Sequence, residues 1–224
     1  MVLLAPFIAV LFSFFVATFI KSNNKNIIAL SLSFSGAFLL SIIIFELLPK
    51  VYQSSDSKFI GLFIALGILL QIVLEFLSKG AEHGHFHIDK KSNSIPILLW
   101  ISLSIHAFVE GIPLESGTGL LYAIIIHKLV IALILSMFLI QSKTSFTKSL
   151  LLMTGFALMT PLGSYTMETL DSYPSLMIAL NSLVIGVLLH ISTVILFESS
   201  DGHKFNIKKI IVICLGIAIA YLFL

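Results

Sequence analysis

Long apolar runs separated by short polar punctuation dominate this 224-residue chain. Eight runs stand out, at about residues 2 to 20, 27 to 49, 58 to 78, 95 to 114, 119 to 141, 148 to 166, 175 to 197 and 207 to 224. Each approaches the roughly 20 helical residues needed to cross about 30 Å of hydrocarbon. The pattern therefore predicts an all-α membrane protein with eight transmembrane helices, forming one transmembrane domain over residues 1–224. The join between the fourth and fifth runs is short and centres on Glu115-Ser-Gly-Thr-Gly119. No basic segment precedes the first run, and Lys21 and Lys25 follow it. That polarity is wrong for a cleaved signal peptide, so the run is expected to remain as a span.

The lysines orient the helices. The connections after runs one, three, five and seven hold Lys21, Lys25, Lys79, Lys90, Lys91, Lys143, Lys148, Lys204, Lys208 and Lys209, whereas the opposite connections hold only Lys50 and Lys58. The positive-inside rule then places the odd connections in the cytoplasm and both termini outside, with the plasma or inner membrane as the expected location. Ile42-Ile-Ile-Phe-Glu46 near the end of run two is echoed by Val194-Ile-Leu-Phe-Glu198 at the end of run seven. These two runs cross in opposite directions, so the echo suggests an inverted repeat, with spans 1-3 mirrored by spans 6-8 around spans 4-5. Five residues of a common type carry that suggestion, and chance accounts for them as well.

Composition narrows the chemistry. Hydrophobic residues make up 58% of the chain and charged residues 11%, with a mean hydropathy of +1.10, so lipid is the expected solvent and partner. All 13 basic residues are lysine and the net charge is only +2, which serves bidentate phosphate recognition poorly and argues against nucleic acid as a partner. The single cysteine, Cys214, permits neither an internal disulfide nor a thiolate cluster for a soft metal.

Ionisable residues inside a span cost a few kcal/mol each on insertion scales, and they mark functional sites by default. In the fourth run His106 and Glu110 are spaced i, i+4 and share one helical face, which allows an imidazole and a carboxylate to hold one ion. Pro113 leaves the carbonyl of Val109 without its helical donor and is expected to kink the helix beside that pair. The fifth run carries His127 and Lys128 near its middle, and the short join predicts that runs four and five are antiparallel neighbours. The plainer alternative is that the histidines bond across helices and Glu110 pairs with Lys128. Two histidines and a carboxylate at one depth favour a divalent metal site, and Lys128 is compatible with both readings.

Other polar positions are weaker candidates. His83, His85 and His87 form an alternating tract in a His-rich cytoplasmic loop at about 79–94, the kind of tract that binds metal weakly. Glu46 and Glu198 lie at the ends of runs two and seven, where snorkelling to headgroups is the ordinary explanation. His190 lies deeper in run seven, where a packing hydrogen bond is the competing account. Glu46 and His190 are also the candidates for an ion path. Pro161 with Gly163 predicts a bent or broken sixth helix of the kind that lines transporter cavities.

Taken together, these residues resemble the ZIP (ZRT/IRT-like) family of metal transporters. The fourth-span His-x-x-x-Asp/Glu-Gly motif is matched by His106, Glu110 and Gly111, and the fifth-span His followed by Glu or Lys by His127 and Lys128. Leu47-Leu48-Pro49 and Pro161-Leu-Gly163 add to the likeness, which covers essentially the whole chain. Ala107 stands where many members have Asn, Ile131 where many have a second His or Glu, and Lys128 where many have a carboxylate that holds a second ion. The resemblance implies eight spans, termini outside, a His-rich loop after span three, one transport-site ion, and elevator-like movement of spans one, four, five and six against the rest.

The expected function is transport of a divalent metal ion toward the cytoplasm. Two imidazoles and one carboxylate suit zinc (Zn2+) first, and also Fe2+, Mn2+, Co2+ and Cd2+. A homodimer is the expected assembly. An intramembrane zinc hydrolase is the competing enzyme class, but the chain has no His-Glu-x-x-His string. A metal sensor or a passive channel would use the same ligands without carrier movement.

Overall fold

The computed structural model describes residues 4–20, 25–78, 97–113, 117–170, 172–198 and 207–224. Among the described residues the chain is all helical. The helices are α1 (Ala5–Ile20), α2 (Lys25–Ile42, continued by a π-helical turn Ile43–Leu47 and a last α-turn Leu48–Tyr52), α3 (Ser57–Ser78), α4 (Ile97–Gly111), α5 (Thr118–Gln141), α6 (Phe146–Glu168), α7 (Pro174–Glu198) and α8 (Ile207–Leu222). They match the eight apolar runs one for one. Five of them, α2, α3, α5, α6 and α7, have the length and apolarity to cross a membrane, whereas α1, α4 and α8 are shorter. The histidine tract and Glu115 lie outside the described residues.

The helices sort into two groups of four. In the first, α1 packs on α5 and α6, and α4 packs on α6. In the second, α3 packs on α7, and α2 packs on α7 and α8. The groups meet along α2 with α5 and α3 with α4. The α4 and α5 helices are thus not closely packed neighbours, contrary to the expectation from their short join. Each leans on a different partner, and their side chains meet in the space between.

Backbone approaches without Cβ atoms set the closest helix contacts. A Cβ on Gly67 of α3 would run into the carbonyl of Leu183 on α7, and one on Gly186 into the carbonyl of Ile64. The same happens between α4 and α6, where a Cβ on Gly111 would strike the Thr160 carbonyl and one on Gly163 the Phe108 carbonyl. In lipid, where apolar surface alone does not drive helices together, small residues that let backbones approach are the main packing device.

The two prolines meet the expectation only in part. Pro113 lies just past the end of α4, and the Val109 carbonyl it would orphan accepts the Ile112 N–H at 3.2 Å, so the residue terminates the helix instead of kinking it. Pro161 lies inside an unbroken α6, where Gly163 provides close packing on α4 and not a break. The irregularity falls in α2 instead. Pro49 cannot donate to the Phe45 carbonyl, and the turn before it widens so that the Leu48 N–H reaches the Ile43 carbonyl.

Gly186→Ala should lower the thermal stability of the detergent-solubilised protein by about 1–3 kcal/mol, because overpacking against backbone outweighs the gain of about 1 kcal/mol in helix propensity. Gly155→Ala, with nothing within 4 Å of the new methyl, should be neutral or stabilising. Equal responses of the two variants would show that the α3–α7 backbone contact is not limiting.

Candidate metal site

The α4 helix carries His106 and Glu110 four residues apart, so both face the space between α4 and α5, whereas Ser102, a turn earlier, donates to the Leu74 carbonyl of α3. From the other side α5, apolar on every flank and the most buried of the long helices, projects His127 and Lys128. Relative exposures of 1% for His106, 0% for Glu110, 1% for His127 and 1% for Lys128 mean that no bulk water shares in their solvation. The cost of burying them must be offset by one another.

Glu110 is the centre of the arrangement. Its Oε1 lies 3.1 Å from His106 Nε2 and 3.5 Å from His127 Nε2, and its Oε2 is paired with Lys128 Nζ. The imidazoles stand nearly perpendicular, with centroids 6.2 Å apart and an interplanar angle of 78°. One donor atom from each of His106, Glu110 and His127 falls within 4.8 Å of the other two. Two donors on a tetrahedral zinc ion, each bonded at about 2.0–2.1 Å, lie roughly 3.3 Å apart. The two edges from Glu110, 3.1 and 3.5 Å, bracket that length, and the edge between the histidines is no longer than 4.8 Å, so the three could close on a small divalent ion.

Three side chains outside the expected set support this centre. Ser35 of α2, fully buried, places its Oγ 3.2 Å from His127 Nδ1. Phe156 of α6 lies under Lys128, with Nζ 4.9 Å from the ring centroid, a cation–π contact that helps hold the buried ammonium. Thr160 of α6 donates to the Ala107 carbonyl at 3.0 Å, locking α4 beside His106. The sequence does carry a signal for Ser35. The run Ser31-Leu-Ser33-Phe-Ser35-Gly36 is rich in small polar residues for a span, and such residues face other helices.

The remaining candidates lie apart from this centre. His190 Nε2 is 2.6 Å from Glu75 Oε2, a pair within the second helix group that links α7 to α3. Glu46 is tucked against a neighbouring helix. Its side chain is 10% exposed, its Oε1 pairs with Lys50 Nζ at 2.7 Å, and the carboxylate rests against Gly117 and Gly119 at the start of α5. The widened turn before Pro49 gives it that aim, and the positive end of the α5 dipole favours a carboxylate there.

Comparison with known proteins adds a second line of support. The family model described as "ZIP Zinc transporter" matches residues 79–224. The chain is 36% identical over 104 residues to the protein zntD of Dictyostelium discoideum, an alignment that takes in 38% of this chain and 15% of that protein. It is 34% identical over 93 residues to the zinc transporter ZIP1 of Danio rerio, taking in 38% of this chain and 30% of that protein. The chain thus spans less than a third of the length of either relative.

Lys128→Met should destabilise the metal-free protein by about 3–5 kcal/mol, since it leaves the Glu110 carboxylate buried without its ammonium partner. Adding Glu110→Gln to that variant should recover much of the loss. Thermal unfolding in detergent reads both. A Lys128→Met protein as stable as the parent would mean that the two charges do not depend on each other.

Proposed function

The chain belongs to the ZIP zinc transporter family, and on that premise we propose that it carries a divalent metal ion, zinc first, across its membrane toward the cytoplasm by way of His106, Glu110 and His127. One observation carries the reading: two imidazoles and a carboxylate from two helices converge on a buried point, with donor atoms within 4.8 Å of one another. The ligand atoms are sealed from bulk water, so an ion reaches them only through rearrangement of the helices, which supports a carrier and is shared by a gated channel. Membership of a transporter family sets aside the hydrolase.

The finer features of the reading have separate support. The lysine bias supports a cytoplasmic side at the odd connections and outside termini, in a plasma or inner membrane. The packing supports an inverted repeat of spans 1-3 and 6-8. Exchanging α1 with α6, α2 with α7, α3 with α8 and α4 with α5 turns the α3–α7 contact into the α8–α2 contact, and the α1–α5 contact into the α6–α4 contact. Lys128 supports a single transported ion, because its ammonium occupies the side of Glu110 where a carboxylate would attract a second cation. Zinc is the first choice, and the N/O donor set also suits Fe2+, Mn2+, Co2+ and Cd2+.

Zinc uptake into proteoliposomes tests the function. His106→Ala and Glu110→Ala should each reduce uptake to background while leaving the protein folded, and near-normal uptake in both would place the site elsewhere. Lys128→Glu should raise bound zinc on purified protein from about one to about two per chain, because a second carboxylate creates a second oxygen-rich site. A ratio that stays near one in well-folded variant protein would contradict the surrogate role of the lysine, and a parent ratio already near two would contradict the single-ion reading.

A further inference from the structure

The buried hydroxyl of Ser35 stands out from the other serines of its helix. Ser33 and Ser41, also on α2, turn back to the carbonyls of Ala29 and Ala37 at 2.9 and 2.8 Å, the ordinary use of serine in an apolar helix. Ser35 reaches instead across to α5, its Oγ 3.2 Å from Nδ1 of His127. The far nitrogen of that ring, Nε2, is the one that faces Glu110. A neutral imidazole carries one proton and one lone pair, and the partner of one nitrogen decides which nitrogen keeps the lone pair. With Nδ1–H donating to Ser35 Oγ, the Nε2 lone pair points at the position between His106 and Glu110.

The contact also joins the two helix groups. His106, Glu110 and His127 all lie on the group formed by α1, α4, α5 and α6, whereas Ser35 belongs to the group of α2, α3, α7 and α8. A slide of α5 along α2 by about 1.5 Å or more would stretch a 3.2 Å contact past hydrogen-bond range. We propose that Ser35 is a positioning residue that holds the His127 ring with Nε2 toward the ion, so that zinc affinity depends on the register between the two helix groups. The inference rests on the proposed metal site and adds to it a group that touches no ion.

Zinc titration calorimetry on the purified full chain in detergent, with uptake kinetics in proteoliposomes, tests it. The site is defined as the saturable zinc binding that His106→Ala removes. Ser35→Ala should weaken that binding about 10- to 100-fold, the usual effect of removing the group that orients a ligating histidine, and raise the uptake KM by a similar factor. Ser35→Cys, close in size but a weaker hydrogen-bonding partner, should fall between the two. In a His127→Ala background Ser35→Ala should weaken binding no further, since the ring it orients is gone. A purely structural serine would lower thermal stability and leave the dissociation constant unchanged, and that result overturns the inference. Equal further weakening in the His127→Ala background overturns it too. Absence of saturable zinc binding in the parent protein overturns the metal site itself, which separates failure of the site from failure of its positioning residue.

Discussion

A carboxylate buried away from bulk water governs this structure. Glu110 is fully buried, and an ionised group in that setting persists only if neighbouring charge and dipoles replace its hydration. Lys128 lies against one oxygen, and two imidazole nitrogens face the other. The surrounding helices are placed as this cluster requires. Gly111 and Gly163 let α4 and α6 touch through their backbones, which fixes the height of Glu110. The Ser13 hydroxyl donates to the Leu129 carbonyl at 2.9 Å and ties α5 to α1 one residue beyond Lys128. Phe156 then closes the underside of the ammonium.

The division into two helix groups gives the cluster its functional meaning. All the charged members lie on one group, so it can move as a unit without separating Glu110 from Lys128. Polar contacts that cross between the groups are small and local. Ser35 meets His127, Ser102 donates to the Leu74 carbonyl at 2.5 Å, and Glu46 rests at the start of α5. The first two are single hydroxyl bonds worth about 1 kcal/mol each, and the third is a close approach, since the ion pair of Glu46 is made with Lys50 of its own helix. The ionic contacts of the cluster thus lie within one helix group, and single hydroxyl bonds are what tie it to the other.

Much of this was legible in the sequence. Eight apolar runs gave eight helices because span length is a property of the bilayer, and the i, i+4 spacing of His106 and Glu110 is a local property of helices. The pairing of Lys128 with Glu110 followed from the cost of leaving either charge alone. What failed was inference from local backbone rules where tertiary packing decides. Pro161 suggested a bent or broken helix, but α6 is unbroken across it and packs on α4 at Gly163. The short join suggested that α4 and α5 pack together, but each found a better partner. The approach of Glu46 to Gly117 and Gly119 was not legible either, because it follows a widened turn that no periodicity signals. Ser35 and Glu75 were missed because their roles depend on partners 92 and 115 residues away in the chain.

The central claim is that zinc binds two imidazoles and one carboxylate in the membrane interior. X-ray absorption at the zinc edge, on purified protein loaded with one equivalent of zinc and with His83, His85 and His87 replaced by serine, reads that ligand set directly. The account predicts nitrogen and oxygen scatterers at about 2.0–2.1 Å, with the outer-shell pattern of two histidine rings. That pattern should fall to one ring in His127→Ala. A sulfur scatterer near 2.3 Å, or a ring count unaffected by loss of His106 and His127, would contradict it.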